Sequence, residues 1–163
     1  MAAEDPRWLS DTEQRSWRTL ISVTTGVLAT LDNELRAEHG LSLGEYEVLA
    51  RLSEAPDHSL RMTDLAAGLS LSPSGITRRI DGLVRAGLVE RRQCPSDRRG
   101  SNAVLTREGL RRLQAAAPSH VRGVRAHFVD QLTTQQLANL AAALSSVGID
   151  RAGAAGGCDE SLD

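Results

Sequence analysis

The chain has no lysine, only two cysteines among its 163 residues, and few aromatic side chains. Two cysteines are too few for a disulfide framework, so we expect a reducing compartment. No window approaches the roughly 20 apolar residues that a membrane helix needs. The first residues carry Glu4 and Asp5 and no apolar run, which is unlike a secretory signal. The sequence therefore predicts a cytoplasmic protein with no membrane span.

Charge is distributed unevenly along the chain. The net charge of −2 argues against a nucleic-acid binder, yet the stretch from Arg78 to Arg112 holds ten arginines and four acidic residues, a balance of +6. The rest of the chain carries −8. Arginine offers planar, bidentate donors to phosphate and guanine. A basic stretch inside an acidic chain predicts one surface that binds a polyanion. A coding bias towards arginine is the better explanation for the missing lysine.

Apolar spacing and capping patterns predict the helices. Residues 10–38 form one long amphipathic helix, which Gly40 ends. Ser42 with Glu45 is a capping box that opens a second helix, ending before Pro56. Residues 59–61 read as a short extended piece, and Thr63 or Asp64 can cap a short third helix. The fourth helix has Ser72 as its cap and Pro73 at its first position, and stops at Gly87.

The pattern then changes to that of strands. Residues 88–93 and 103–106 read as two strands around a polar loop at 94–102, which predicts a β-hairpin. Thr106 caps a fifth helix to about Asp130, in which Pro118 predicts a kink or break. Thr133 with Gln136 opens a last helix. The Ala/Gly-rich and acidic residues 149–163 predict a disordered tail.

These elements predict a mainly α fold with a small β-hairpin wing (α+β). A winged helix-turn-helix DNA-binding lobe occupies residues 41–106. An N-terminal arm and dimerisation helix precede it at 1–40, and C-terminal dimerisation helices follow at 107–148. The apolar stripes of the first and last helices can pack across a two-fold axis or form ordinary core within the chain.

The fourth helix has the properties of a recognition helix. Its N-terminal residues are small, polar or basic, which lets them approach base edges and phosphates. The candidate DNA contacts are Ser72, Ser74, Gly75, Thr77, Arg78 and Arg79. Gly75 either allows a closer approach to DNA or is simply tolerated. The alternative from another class is a winged-helix protein-interaction module.

The stretch from Leu71 to Gly109 closely resembles the MarR family of bacterial transcriptional regulators. Its most specific piece runs from Asp97 to Gly100, with Thr106 six residues later, and the order of elements matches from about Ser10 to Val147. The resemblance implies an obligate homodimer that binds a double-stranded, palindromic DNA operator, commonly as a repressor relieved by a small ligand. It also implies that Arg99, beside Arg98, enters the minor groove and that Asp97 orients it.

Ligand sensing follows from the same resemblance. Similar regulators have a pocket between the dimerisation helices and the winged lobe, often for aromatic acids, and Trp17, His39 and Tyr46 are the candidates here. The alternative for these residues is core packing, or a helix end for His39. Cys94, surrounded by arginines, is the candidate for redox sensing, although peroxide-sensing relatives carry their cysteine in the first helix, where this chain has none.

Other classes of chemistry find little support. His120 and His127 share a helix face, but a zinc site needs three or four converging ligands. The sequence has no nucleophile elbow, no phosphate-cradling glycine loop and no metal triad in recognisable spacing. We therefore expect neither an enzyme nor a cofactor.

Overall fold

The computed structural model describes residues 6–69, 71–94 and 97–147, with the backbone alone for residues 94 and 97–99. This part of the chain holds six α-helices, three β-strands and two short 3-10 turns. In chain order they are α1 (Asp11–His39), α2 (Leu43–Glu54), a turn at Pro56–His58, β1 (Ser59–Arg61), α3 (Met62–Gly68), α4 (Pro73–Arg85), β2 (Val89–Cys94), β3 (Asp97–Leu105), α5 (Arg107–His127), a turn at Val129–Gln131 and α6 (Thr134–Ser145). The predicted disordered tail at 149–163 lies outside the described residues.

Helix starts follow the capping residues of the sequence. Ser10, Ser42 and Thr133 form complete capping boxes at the starts of α1, α2 and α6. Ser72 caps α4. Gly40 ends α1 in the left-handed conformation, at φ 64°, which glycine adopts without the steric cost that a side chain brings. The predicted caps at Ser42, Ser72 and Thr133 and the predicted stop at Gly40 are confirmed, and the capping box at Ser10 adds to them.

The sheet is larger than the predicted hairpin. Its three antiparallel strands have the order β1-β3-β2, with Ser59 opposite Val104 and Val89 opposite Leu105. The backbone of β3 already begins at Asp97, so the predicted polar loop at 94–102 is wrong for most of its length. Cross-strand pairing overrides the turn preference of these residues. The short extended piece at 59–61 is β1, the third strand.

Two helix predictions also need correction. The third helix begins at Met62, and neither Thr63 nor Asp64 caps it, because Arg61 occupies the N-cap without a side-chain hydrogen bond. Helix α5 continues through Pro118 and ends at His127, so the predicted break is wrong. Proline removes one backbone hydrogen bond, and the packing of α5 on the second half of α1 keeps the helix continuous.

The core lies where α2, α3, α4 and the sheet meet the C-terminal part of α1 and the middle of α5. Its fully buried large side chains are Leu35, Val48, Leu49, Leu52, Leu65, Ile76, Ile80, Leu83 and Val89. By contrast, α1 has no buried residue before Leu31 and α6 has none at all. No helix of the described ranges is long and apolar enough to cross a membrane.

Candidate nucleic-acid interface

The start of α4 is an ordered, solvent-facing helix N-terminus. The Ser72 hydroxyl accepts a hydrogen bond from the Gly75 N–H at 3.1 Å and lies 3.2 Å from the Ser74 hydroxyl. Ser72, Ser74, Thr77 and Arg78 are exposed. A helix start presents backbone N–H groups and a partial positive charge. This face can therefore bind an anion such as a phosphate.

The opposite face of α4 anchors the helix. Ile76, Ile80 and Leu83 are at most 2% exposed and belong to the core. On the outer face, the Thr77 hydroxyl donates to the Pro73 carbonyl at 2.8 Å. Arg78 is exposed and forms no hydrogen bond or ion pair with any described residue. Its guanidinium is therefore available to a base or a phosphate.

Arg79 lies differently from its neighbour. It is partly buried, and its guanidinium covers Gly44 so closely that a Cβ at that glycine would lie 2.6 Å from both terminal nitrogens. Its charge also reaches Asp32 of α1. Both arginines were predicted to contact DNA, but the structure places them differently. Arg78 faces solvent, whereas Arg79 faces the junction of α1 and α2.

The arginines of β2 are partly committed within the chain. Arg91 forms an ion pair with Asp81 of α4 at 2.9 Å and donates to the Thr77 carbonyl at 3.3 Å. Arg92 pairs with Glu90 at 3.1 Å. The Arg91 contacts tie β2 to α4, and both ion pairs neutralise part of the positive charge.

The predicted wing-tip residues Asp97, Arg98 and Arg99 lie on the backbone of β3. Their side chains are outside the described part of the structure, as is the side chain of Cys94. The positions place all three next to the β2–β3 connection, at the far end of the hairpin from α5.

The remaining basic residues do not share one surface. Arg111 pairs with Glu108 within α5, and Arg112 donates to the His39 carbonyl at the end of α1 at 2.6 Å. Arg112 thus caps α1, where a cation is favoured. The hypothesis that all ten arginines face one polyanion is therefore too broad. Among the ten, four arginines with described side chains form no ion pair or hydrogen bond with a described residue: Arg78, Arg79, Arg85 and Arg107, of which Arg79 packs on Gly44.

The three candidate effector-binding residues fall into two places. His39 Nε2 lies 2.8 Å from the Ser119 hydroxyl, and Tyr46 packs on the His120 ring with centroids 4.4 Å apart. His39 and Tyr46 therefore meet neighbouring residues of α5. Trp17 is 22 residues before His39 on the same helix, about 33 Å away at the helical rise, and the chain does not bring it to them.

His120 also lies in this region, although it was not among the residues predicted to line the effector pocket. Its Nδ1 is buried without a described hydrogen-bond partner, and burial lowers the pKa of the ring. Burial, helped by the Glu54 charge, raises the pKa of Tyr46. The inward position of His120 could have been predicted from the helical period, because His120 lies four residues after Ala116 on the buried side of α5.

Tyr46 also lines an open cleft of about 540 Å³ between α2 and the end of α3. The other lining residues are Glu47, Ala50, Arg51, Glu54, Gly68 and Leu69. Neither His39 nor Trp17 takes part in it. Among the described residues, no group of three or more His, Cys, Asp or Glu side chains is placed to hold a metal ion.

Comparison with known proteins agrees with this architecture. The MarR family model matches residues 41–101. The transcriptional repressor YetL of Bacillus subtilis is 39% identical over 90 residues, 55% of this chain and 54% of YetL. The chain thus spans about half the length of the curated relatives it matches, which include the regulator PapX of Escherichia coli.

Solved structures extend the similarity to most of the chain. The MarR family regulator AbsC from Streptomyces coelicolor is 42% identical with a TM-score of 0.81, over 87% of this chain and 95% of AbsC. Sco3205 from the same organism, solved in complex with DNA, is 37% identical with a TM-score of 0.84, over 89% of this chain and 91% of Sco3205. Both are transcriptional regulators rather than enzymes. With the winged lobe, the long α1 and the helices that follow the wing all matched, the chain belongs to the MarR family.

Proposed function

We propose that this protein is a homodimeric transcription regulator that binds double-stranded DNA through the start of α4. The observation that carries the proposal is the capped, solvent-facing N-terminus of this helix beside the uncommitted guanidinium of Arg78. Small residues at this end let the helix approach base edges in the major groove. The DNA complex of Sco3205, a similar chain, supports the same use of the fold.

The wing supplies the second contact in this proposal. Arg99, with Arg98 beside it and Asp97 to orient it, enters the minor groove next to the half-site that α4 reads. A narrow groove concentrates negative potential and attracts an arginine. Because Arg91 joins β2 to α4 through Asp81, the wing and the recognition helix bind as one rigid unit.

The dimer is inferred from apolar surface that the single chain leaves in water. Helix α6 has no buried residue, and α1 has none in its first 20 positions. Contiguous apolar patches on a soluble protein mark interaction sites. A two-fold axis places the same surface of each copy against the other. The exposed apolar side chains of these two helices are Trp17, Leu20, Ile21, Val23, Leu28 and Leu144. Two copies then read a palindromic operator.

The regulatory consequence we infer is repression in the cytoplasm, relieved by a small effector. YetL and MprA of Escherichia coli, both similar in part, are repressors. The region where His39 and Tyr46 meet α5 joins the dimerisation helices to the DNA-binding lobe. Two arrangements of the lobes are in equilibrium in this proposal. A molecule bound there can shift that equilibrium only by the difference between its binding free energies for the two arrangements.

The test begins with genomic fragments retained by the purified protein, from which an operator duplex is made. Arg78→Ala should weaken binding to this duplex by about 1–3 kcal/mol, or roughly 5- to 150-fold. Arg85→Ala is the matched control, because it removes the same charge from the other end of α4. Fluorescence anisotropy measures both. Equal losses for the two variants would remove the role assigned to Arg78, and retention of no DNA by the wild type would favour the protein-interaction module.

A further inference from the structure

Three helices meet at one point on the inner side of the DNA-binding lobe. Asp32 of α1 accepts a hydrogen bond from the Leu43 N–H, the first residue of α2, at 2.8 Å. Arg79 of α4 places its guanidinium over the next residue, Gly44. We call these four residues the three-helix junction. It joins the long dimerisation helix to the recognition helix through the start of α2.

Asp32 is held in its ionised form at this junction. The hydrogen bond from Arg36, at 2.6 Å, is the main cause of its lowered pKa, and the charge of Arg79 adds to the effect. Because the carboxylate is partly shielded from water, its attraction for the Arg79 guanidinium is screened less than at an open surface.

Gly44 is what lets Arg79 reach this place. A Cβ there would overlap the guanidinium carbon and both terminal nitrogens of Arg79. Gly44 sits inside the first turn of α2, where its backbone is helical, so the lack of a side chain serves the close approach and not an unusual backbone conformation. Glycine lowers helix stability by about 1 kcal/mol relative to alanine, and the contact with Arg79 gives this position a packing reason.

The junction lies where α1 and α4 share their one strong common neighbour, the helix α2. Helix α1 packs mainly on α5 and α2, whereas α4 packs mainly on α3 and β2 and less on α2. The angle between α1 and α4 matters in a dimer built on α1, because it sets the distance between the two recognition helices. DNA half-sites repeat at roughly 34 Å, so a small change of angle changes the fit.

We propose that Arg79 is a positioning residue, which packs α4 on Gly44 within the field of the Asp32 carboxylate and so sets the half-site spacing that the dimer accepts, without contacting DNA. This inference rests on the proposed function. It assigns Arg79 a role different from that of Arg78, although the two are adjacent in the sequence and both were predicted to contact DNA.

The experiment separates bracing from contact through salt dependence and operator spacing. Operator duplexes are made with the half-site spacing unchanged, one base pair shorter and one base pair longer. Affinities are measured over a salt series for the wild type, Arg79→Met and the control Arg78→Met. A lost phosphate contact lowers the slope of log K against log salt by about one for each protomer.

For Arg79→Met we expect the wild-type salt slope and a preference among the three spacings weakened by about three- to tenfold. Arg78→Met should lower affinity by the same factor at all spacings. Gly44→Ala should reproduce the effect of Arg79→Met, since the new methyl group displaces the guanidinium while its charge remains. In the Arg79→Met background, Gly44→Ala should change the spacing preference no further.

Two results would overturn the inference: a salt slope that falls for Arg79→Met, or a spacing preference that Arg79→Met and Gly44→Ala leave intact. A measurement without DNA distinguishes this failure from that of the proposed function. Gly44→Ala should raise the melting temperature more in the Arg79→Met background than in the wild type, because only the wild type has a guanidinium to displace. Equal increases would contradict the packing of Arg79 on Gly44, whether or not the protein binds DNA.

Discussion

Single hydroxyl groups hold the starts of the helices that frame the DNA-binding lobe. Thr106 differs from the other caps because its hydroxyl also reaches a distant segment: Oγ1 accepts from the Gly109 N–H at 2.9 Å and donates to the Gly87 carbonyl at 2.8 Å. It thus satisfies an orphan donor of α5 and a carbonyl of the turn that follows α4. One side chain therefore connects the recognition helix, β3 and α5.

Replacing Thr106 should cost more than removing an ordinary helix cap. We expect Thr106→Ala to lower the free energy of unfolding by about 2 kcal/mol, the upper end of the range for cap removal. The control is Thr133→Ala, which removes the cap of the exposed helix α6 and should cost about 1 kcal/mol or less. Urea denaturation measures both, and equal costs would contradict the double role of Thr106.

His120 predicts a pH dependence of stability. Because burial lowers the pKa of His120, the unfolded chain binds the proton at a higher pH than the folded chain does. The stability linked to this residue is complete above the ordinary histidine pKa of about 6.5, and it is lost as the pH falls through the lowered value.

The variant that tests this pH dependence is His120→Phe, which keeps an aromatic ring against Tyr46 and removes the titratable group. We expect the melting temperature of the wild type to fall more than that of the variant between about pH 7 and about pH 5. Scanning calorimetry measures this difference. Parallel curves would show that His120 is not the group responsible.

At the scale of whole elements, the packing of α1 against α5 depends on close approach at one glycine. A Cβ at Gly123 would lie 2.7 Å from Leu31 Cδ2 and 2.6 Å from Glu34 Oε2. Leu31 is buried, so its side chain has little space into which to move. Next to this contact, His127 bonds Glu34 at 2.7 Å.

Adding a methyl group at this crossing should destabilise the fold. We expect Gly123→Ala to lower the free energy of unfolding by about 1–3 kcal/mol, since overpacking outweighs the gain in helix propensity. Gly82→Ala in α4 is the control, because its Cβ would meet nothing nearer than 3.8 Å. The control should gain up to about 1 kcal/mol, and a similar gain for Gly123→Ala would contradict the close packing.

Elements were predictable from the sequence where their signals are local. The apolar stripe of residues 10–38 and the stop at Gly40 give the bounds of α1, and the capping boxes at Ser42 and Thr133 give the starts of α2 and α6, each to within a residue or two. The length of β3 was not predictable, because residues 97–102 prefer turns and become a strand through pairing with β1 and β2. The packing of the buried face of α5 against α1 and α2 likewise outweighed the signal of Pro118.

In the candidate site, too, features with a local signal were predictable from the sequence, and features that depend on residues distant in the sequence were not. The exposure of Ser72, Ser74 and Arg78 follows from the helical period, since Ile76 and Ile80 define the buried face. The placement of Arg79 does not, because it depends on Gly44 and Asp32, which are distant in sequence. Trp17 was assigned to the same candidate pocket as His39 because of its residue type. The length of α1 keeps the two side chains far apart.

At the scale of the whole molecule, the described part of the chain leaves a substantial apolar surface uncovered. Its core is confined to the DNA-binding lobe and the adjoining parts of α1 and α5. Several large apolar residues of the first part of α1 and of the segment from α6 to residue 147 remain exposed. Leu144 and Val147, for example, are 47% and 62% exposed, and burial of such side chains is worth roughly 1.5–3 kcal/mol each.

A charge placed on this surface should separate the two copies. We expect the wild type to sediment at twice the 17.5 kDa chain mass, and Leu144→Glu to sediment as a single chain, because a carboxylate is costly in an apolar interface. Gln135→Glu is the control, since it adds the same charge on the opposite side of α6. A Leu144→Glu protein that keeps the mass of the wild type would place the interface elsewhere.

The long α1 helix also gives the protein a built-in optical reporter. Both tryptophans of the chain lie at its N-terminal end, Trp17 within the helix and Trp8 just before it, and they are 57% and 80% exposed. The DNA-binding lobe contains no indole that would mask their emission. Intrinsic fluorescence therefore follows events at the N-terminal helix, and a blue shift on raising the protein concentration records association without any label.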